Sequence, residues 1–384
     1  MIFSHISDTH LGFVQYHSEE REDDIYSAFN QAIDTSIKDH IDFVILAGDI
    51  FHVPNPSGKA IVVLANALKR LRQNNIESFF ILGDHDISRI RATPVPFVYH
   101  NLEFSRYIGN GNPLMYKDIL IMGFDKRRKS EIHTFENDFA TADLAARNHQ
   151  GHKILVLHQG ISEINKFAGE LNSTDLPKNF TYYAMGHLHD QELKRFSHLG
   201  GPLTYPGSIE MTSSESIKDT QKGFYQVDTS GPEVIPNWIK LDTRPQMSSR
   251  ISIDKLSDEI SALSEKIKSC SRKPVVEVRI TGDISDPGFI QTQISRLSEL
   301  TLRCFWKHVS SEQNNGSVFI ERPIKIEEEM HKIAKDILGS TELANFAINE
   351  LLPLLSKGSI EEANAAISEN FVQFKKGLRN ATIS

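Results

Sequence analysis

The stretch "ILGDHD", Ile81 to Asp86, ends an apolar run on a glycine and then sets Asp84, His85 and Asp86 side by side. Gly and Asp both favour turns, and turn chemistry alone accounts for one such loop. Two carboxylates around an imidazole nevertheless cost free energy unless a cation or a substrate balances them. Four other apolar runs end in the same way. Ile2–Ile6 runs into "SDTHLG", with Asp8 and His10. Phe43–Ala47 runs into "GDIFH", with Asp49 and His52, and Ile154–Leu157 into "HQG", with His158. Tyr182–Met185 runs into "GHLHD", with His187 and His189. A lone histidine after a strand is usually a satisfied structural residue. Five loops delivering Asp and His to strand ends are a site, because ligands gather outside the carboxyl ends of strands in open α/β sheets.

Helical patterns separate several of these runs. Asp24–Lys38 carries Ile25, Ala28, Phe29, Ala32, Ile33 and Ile37 at helical spacing, and Lys59–Gln73 repeats the pattern. Strand and helix in alternation predict a layered α/β domain. Further strands are expected at Ser78–Leu82, Ile119–Gly123, Phe224–Val227 and Val234–Leu241. Asp242–Arg250 reads as a linker and Ile251–Ile267 as a polar helix. A smaller module then begins at "PVVEVRITG" (Pro274–Gly282), with a helix near Phe289–Leu300 and strands near Leu302–Val309 and Ser317–Ile320. Three helices are expected at Ile324–Leu338, Glu342–Leu352 and Ile360–Phe374.

The chain has 384 residues, 39% hydrophobic and 24% charged, enough for two or three domains with a sizeable core. A net charge of -8 argues against a protein that coats nucleic acid generally. It leaves room for a local basic patch, and Lys126–Lys129 is one, although a charge run is commonly a solvated loop. The two cysteines, Cys270 and Cys304, form neither a metal motif nor a disulfide framework. No basic stretch followed by an apolar core opens the chain, and no run approaches the ~20 apolar residues that span a bilayer. An intracellular protein with no membrane partner is expected.

Imidazole and carboxylate without thiolate suit Mn, Fe, Zn or Ni better than Ca or Mg. The donors outnumber the places around one tetrahedral ion and fit two ions sharing a carboxylate. The order D-x-H, G-D, G-D-H-D, H, G-H-x-H resembles the calcineurin-like metallophosphoesterases. With "YPGSIE" (Tyr205–Glu210) added, it resembles the DNA double-strand-break repair nucleases of the MRE-eleven/SbcD type.

The resemblance implies a layered calcineurin-like sandwich over residues 1–245, a smaller α+β capping domain that binds DNA over 246–322, and a C-terminal helical segment over 323–384 that binds an ATPase partner. It rests on motifs in the first part and on position alone in the other two. It implies two Mn2+ ions, one held by Asp8, His10, Asp49 and His189, the other by Asp49, Asp84, His158 and His187. His85 becomes the general acid, and His52 positions it or the substrate. The implied activity is 3′–5′ exonuclease and single-strand endonuclease. The implied partners are DNA ends and single strands, a second copy of the chain, and an SMC-like ATPase. "SGKA" (Ser57–Ala60) is no Walker A motif, so ATP belongs to the partner. Arg89, Arg91, Tyr16 and His17 are candidate substrate contacts, with exposed loop residues as the plain alternative. One departure is Asp84, where the family has Asn; a third carboxylate lowers the net positive charge of the loaded centre. The rival readings are a phosphoesterase for a small phosphoester or nucleotide, and a DNA-end scaffold with little or no cleavage.

Overall fold

Phe43–Ala47 is apolar and buried at every position, which marks a parallel strand covered on both faces. In the computed structural model, the residues described are 1–88, 93–212, 221–284, 286–309, 334–335, 340–352, 364–368 and 370. Residues 1–310 make one compact unit and 311–384 a second.

The strands of the first unit are β1 (Ile2–Ile6), β2 (Phe43–Ala47), β3 (Glu77–Ile81), β4 (Arg106–Tyr107), β5 (Leu114–Tyr116), β6 (Ile119–Phe124), β7 (Lys153–His158), β8 (Tyr182–Gly186), β9 (Glu192–Lys194), β10 (Leu203–Tyr205), β11 (Gly223–Asp228), β12 (Ile235–Lys240), β13 (Gln246–Ser252), β14 (Val275–Thr281) and β15 (Arg303–His308). They form sheets of order β12-β11-β1-β2-β3-β4, β5-β6-β7-β8-β10-β9 and β13-β14-β15. The middles of the two large sheets, β1 to β4 and β6-β7-β8-β10, are parallel.

The two large sheets pack face to face. Phe3, Phe43 and Phe79 of the first meet Ile154, Val156 and Tyr182 of the second in one core. Helices α1 (Glu19–Lys38) and α2 (Gly58–Gln73) cover the outer face of the first sheet, laying Phe29, Ile33, Leu64 and Leu68 on Val44, Leu46 and Phe80. Beyond the short α3 (Phe97–Asn101), α4 (Phe135–Asn148) covers the second sheet with Phe135, Phe139 and Ala142. The result is a helix, sheet, sheet, helix sandwich. Helix α1 starts five residues before the expected Asp24, and Glu19, Glu20 and Glu22 in its first turn complement the helix dipole.

One polar chain crosses the inter-sheet core. Thr204 Oγ1 donates to the Tyr182 hydroxyl, which donates to His5 Nδ1, while His5 Nε2 donates to the Met185 carbonyl. Each donor finds an acceptor only if His5 is neutral. Burial holds its pKa down at about 3.

Residues 242–250 are not all linker, and 251–267 are not all helix. Gln246–Ser252 is the parallel edge strand β13, followed by α5 (Leu256–Lys268). Its Ser and Arg side chains alternate outward and only Gln246 and Ile251 are buried, so its composition reads as a loop. With α6 (Pro287–Ser295) the small sheet keeps its own core, Val276, Val278 and Ile280 against Leu256, Ile260, Ile290 and Ile294. Arg244 ties this module to α1, its Nε 2.6 Å from Asp24 Oδ2. The expected strand at 317–320 and most of the expected helices at 324–338 and 360–374 lie outside the described residues, whereas the expected helix at 342–352 is present, continuing from Thr341–Phe346 as a π-turn over Ala347–Leu351. In the second unit, Thr341–Phe346 is helical, with Ser340 Oγ accepting from Leu343 N at 3.4 Å.

Candidate active site

The strand-end loops meet because β1, β2 and β3 run parallel in one sheet and β7 and β8 parallel in the other. Backbone bonds extend the β1–β2 pairing into the loops: Asp8 N to the Gly48 carbonyl, His10 N to that of Asp49, and Leu11 N to that of Ile50. His158 Nδ1 donates to the Ala47 carbonyl at 2.8 Å, joining the sheets. That bond leaves Nε2 as the nitrogen that faces the cluster.

His158 Nε2 is buried with no hydrogen-bond partner among the described residues. It lies 3.4 Å from Asp49 Oδ2, 3.4 Å from Asp84 Oδ1 and 3.9 Å from Asp8 Oδ1. Asp84 Oδ1 is also 3.4 Å from His187 Nδ1. Across Asp49, His10 Nε2 lies 3.8 Å from its Oδ2, and His189 Nε2 lies 3.8 Å from Asp8 Oδ1. His10 Nε2 and His189 Nε2 converge to 3.1 Å. Two groups of donors result, Asp8 with His10 and His189, and Asp84 with His158 and His187, with Asp49 between them. Converging imidazole nitrogens and facing carboxylates are a donor set for divalent cations, and an orphaned buried Nε2 among them fits a ligand position.

The charges explain the titration. Burial opposes ionisation of Asp49, yet the adjacent His158 holds its carboxyl well below the usual range. His158 is driven well above an ordinary histidine, against its burial, by Asp49, Asp84 and Asp8. Burial drives His10 down.

The geometry also stores backbone strain. Asp8 (φ 51°), His10 (φ 43°), Asp49 (φ 50°) and His187 (φ 96°) all have left-handed backbone. Such residues cost free energy and concentrate at functional sites. The glycines before the acids allow close approach. A Cβ on Gly83 would collide with the Asp49 carboxylate, and one on Gly48 (φ 85°) with the His158 ring.

His85 and His52 stand at the rim, rings 5.1 Å apart and 30° from parallel. His85 N donates to Asp49 Oδ1 at 2.9 Å, and His85 Nδ1 to the His52 carbonyl at 2.7 Å. Burial, then the neighbouring His85, pushes His52 down to about 4. Asp86 is buried. Its carboxylate accepts from Ile50 N, Phe51 N and Gly83 N, fastening the β2 and β3 loops together. It therefore orients the turn.

Tyr16 and His17 sit in a short 3-10 turn. The Tyr16 ring lies 5.9 Å from Phe305 and beneath Arg303 of the small module, and His17 is exposed. Arg89 and Arg91 lie outside the described residues. Sequence reasoning missed the supports. Thr212 Oγ1 lies 3.1 Å from His189 Nδ1. The basic run divides: Lys126 is buried against Glu170 with Nζ 3.4 Å from His187 Nε2, Arg127 pairs with Asp138, and Arg128 and Lys129 are exposed.

Residues 1–221 match the calcineurin-like phosphoesterase family. A DNA double-strand break repair protein Mre11 from Saccharolobus solfataricus is 31% identical over 309 residues, 78% of this chain and 80% of that one. The chain is a calcineurin-like phosphoesterase of the Mre11 family. A relative of the same name from Methanocaldococcus jannaschii is 35% identical, covering 72% of this chain and 75% of that one. Another, from Thermoplasma acidophilum, is 34% identical over 73% of this chain and 77% of its own. Membership makes the cluster the candidate active site of a metal-dependent phosphoesterase. No helix among the described residues is long and apolar enough to cross a membrane.

Proposed function

We propose that this Mre11-family protein is a nuclease of DNA double-strand-break repair, a phosphodiesterase working with two divalent ions, Mn2+ by preference. The observation that carries the reading is the convergence of three carboxylates and four imidazoles at the strand ends, with the His85–His52 pair on the rim. In this reading Asp8, His10, Asp49 and His189 would hold one ion and Asp49, Asp84, His158 and His187 the other, with Asp49 common to both. Such ions, when bound, neutralise phosphate charge and make water a stronger acid.

The chain's own residues do the rest. His85 Nδ1–H donates a hydrogen bond to the His52 carbonyl, so Nε2 is the nitrogen left to face a substrate. In the imidazolium form it holds a proton there for the leaving 3′ oxygen. His52 is held largely neutral by burial and limits rotation of the His85 ring by stacking. Its role is positioning.

The names of the relatives support DNA as substrate. The proposal includes 3′–5′ exonuclease and single-strand endonuclease activity, a homodimer, an SMC-like ATPase partner docked on residues 323–384, and DNA contact by 246–322. Digestion with Mn2+ of linear duplex, single-stranded DNA and bis(p-nitrophenyl) phosphate tests it. Cleavage of both DNAs is expected. Turnover of the small ester alone identifies a small-molecule phosphoesterase, and DNA binding without cutting identifies a scaffold; either overturns the proposal.

A further inference from the structure

The loop Gly160–Leu171 leaves the end of β7 two residues after His158 and closes on itself. Ser162 N donates to the Leu171 carbonyl at 2.8 Å, and Glu170 N to that of Gly160 at 3.0 Å. Its base is fixed beside the candidate metal centre. The Glu170 carboxylate takes two contacts from Lys126 Nζ, at 2.6 and 2.8 Å, and that nitrogen lies 3.4 Å from His187 Nε2.

The top of the loop is fixed too. Asn165 Oδ1 accepts from Phe167 N at 3.0 Å and Ala168 N at 3.2 Å. Ile164 and Ala168 pack on the core of the second sheet. The Glu163 carboxylate accepts from Ser173 N. Held on both sides, the loop turns Phe167 outward, 99% exposed; the next most exposed large apolar side chains among the described residues reach 56%. Single exposed apolar residues are ordinary. A fully exposed phenyl ring on a pinned loop next to a catalytic cluster is a displayed surface.

Charges of both signs flank it, Glu163 and Lys166 both being exposed on the loop. Lys166 is exposed beside it, and Gln159 Nε2 ties the loop's base to the Arg127 carbonyl at 2.9 Å, next to exposed Arg128 and Lys129. Phe167 and Glu170 are three positions apart, so their Cα atoms are within about 11 Å of each other. Aromatic faces interleaved with cations are how proteins hold single-stranded nucleic acid.

We infer that Phe167 is a nucleobase-stacking residue. An unpaired base of a DNA strand approaching from the His187 side stacks on the ring, while Lys166, Arg128 and Lys129 meet the flanking phosphates. The inference rests on the nuclease reading above. Every base offers a π-face, so the contact is indifferent to sequence. A paired base is already stacked, so Phe167 favours single strands and frayed ends over intact duplex.

The test uses the full chain, with DNA affinity read in EDTA and hydrolysis read with Mn2+, comparing the parent with Phe167→Ala and Phe167→Trp. The substrates are a short single-stranded DNA, a series of the same strand with one abasic position moved along it, and bis(p-nitrophenyl) phosphate. Phe167→Ala should lose about 5- to 150-fold in single-strand affinity and Phe167→Trp should retain it. Both should hydrolyse the small ester at the parental rate. One abasic position should weaken the parent and leave Phe167→Ala without further loss. Parental affinity in Phe167→Ala, or equal abasic losses in parent and variant, overturns the stacking role while leaving the nuclease reading intact. A parent that hydrolyses the small ester and binds no DNA overturns both.

Discussion

Arg21 is fully buried on α1, and it holds Glu210, two residues before the Thr212 that supports His189. Its Nη1 lies 2.6 Å from Asp24 Oδ2 and its Nη2 3.2 Å from Glu210 Oε1. Its Nε donates to Gln15 Oε1 at 2.9 Å. Arg21→Met leaves the two acids in different states. Asp24 keeps Arg244, whose Nε and Nη2 lie 2.6 and 3.0 Å away. Glu210 is left with one bond, from Met211 N at 2.8 Å to Oε1, and its Oε2 has no partner among the described residues even in the parent. Removing one partner of a buried pair costs about 3–5 kcal/mol because a charge is stranded. Replacing both removes the stranded charge, so Arg21→Met/Glu210→Met should recover most of the loss. Glu210 lies two residues before Thr212, which supports His189, so the single variant should also bind Mn2+ more weakly. Urea unfolding and calorimetric Mn2+ titration of the parent, single and double variants measure both effects. A single variant as stable as the parent, or a double variant no more stable than the single, would refute the reasoning.

Three further outcomes follow from the same geometry. His5 has a depressed folded-state pKa of about 3, so its contribution to stability is complete above about pH 6.5 and is lost as pH falls toward 3. His5→Gln should flatten unfolding stability over that window, by up to about 5 kcal/mol; an unchanged pH profile contradicts this. Gly83→Ala forces a methyl group onto the Asp49 carboxylate and should weaken Mn2+ binding by about 10- to 100-fold, with parental Mn2+ affinity as the contrary result. Asp84→Asn should keep DNA cleavage with weaker Mn2+ binding, and Asp84→Ala should lose one ion; two ions retained after Asp84→Ala would remove Asp84 from the ligand set.

The strands that carry the site were legible because they are buried on both faces. Phe43–Ala47 reads as a continuous apolar run and Ile2–Ile6 as an apolar run interrupted by Ser4 and His5, and both end where the structure ends them. The donors were legible because each follows such a run directly. What escaped was either weakly patterned or long-range. Strand β13 alternates Ser and Arg outward and carries little apolar signal. The Arg21–Glu210 pair joins residues 189 positions apart, and Thr212 supports His189 from beyond β10. No local pattern announces partners brought together by sheet topology. Lys126 looked like one member of a solvated basic run, because only the fold places it between Glu170 and His187.

The neighbouring histidines do different work, His85 proton transfer, His52 positioning, and His10, His158, His187 and His189 the holding of the ions. The most direct measurement is bound Mn2+ per chain in His85→Ala, determined alongside cleavage of linear duplex DNA. The account predicts two ions, as in the parent, with cleavage reduced at least 100-fold. Loss of an ion in His85→Ala, or cleavage at the parental rate, would contradict it.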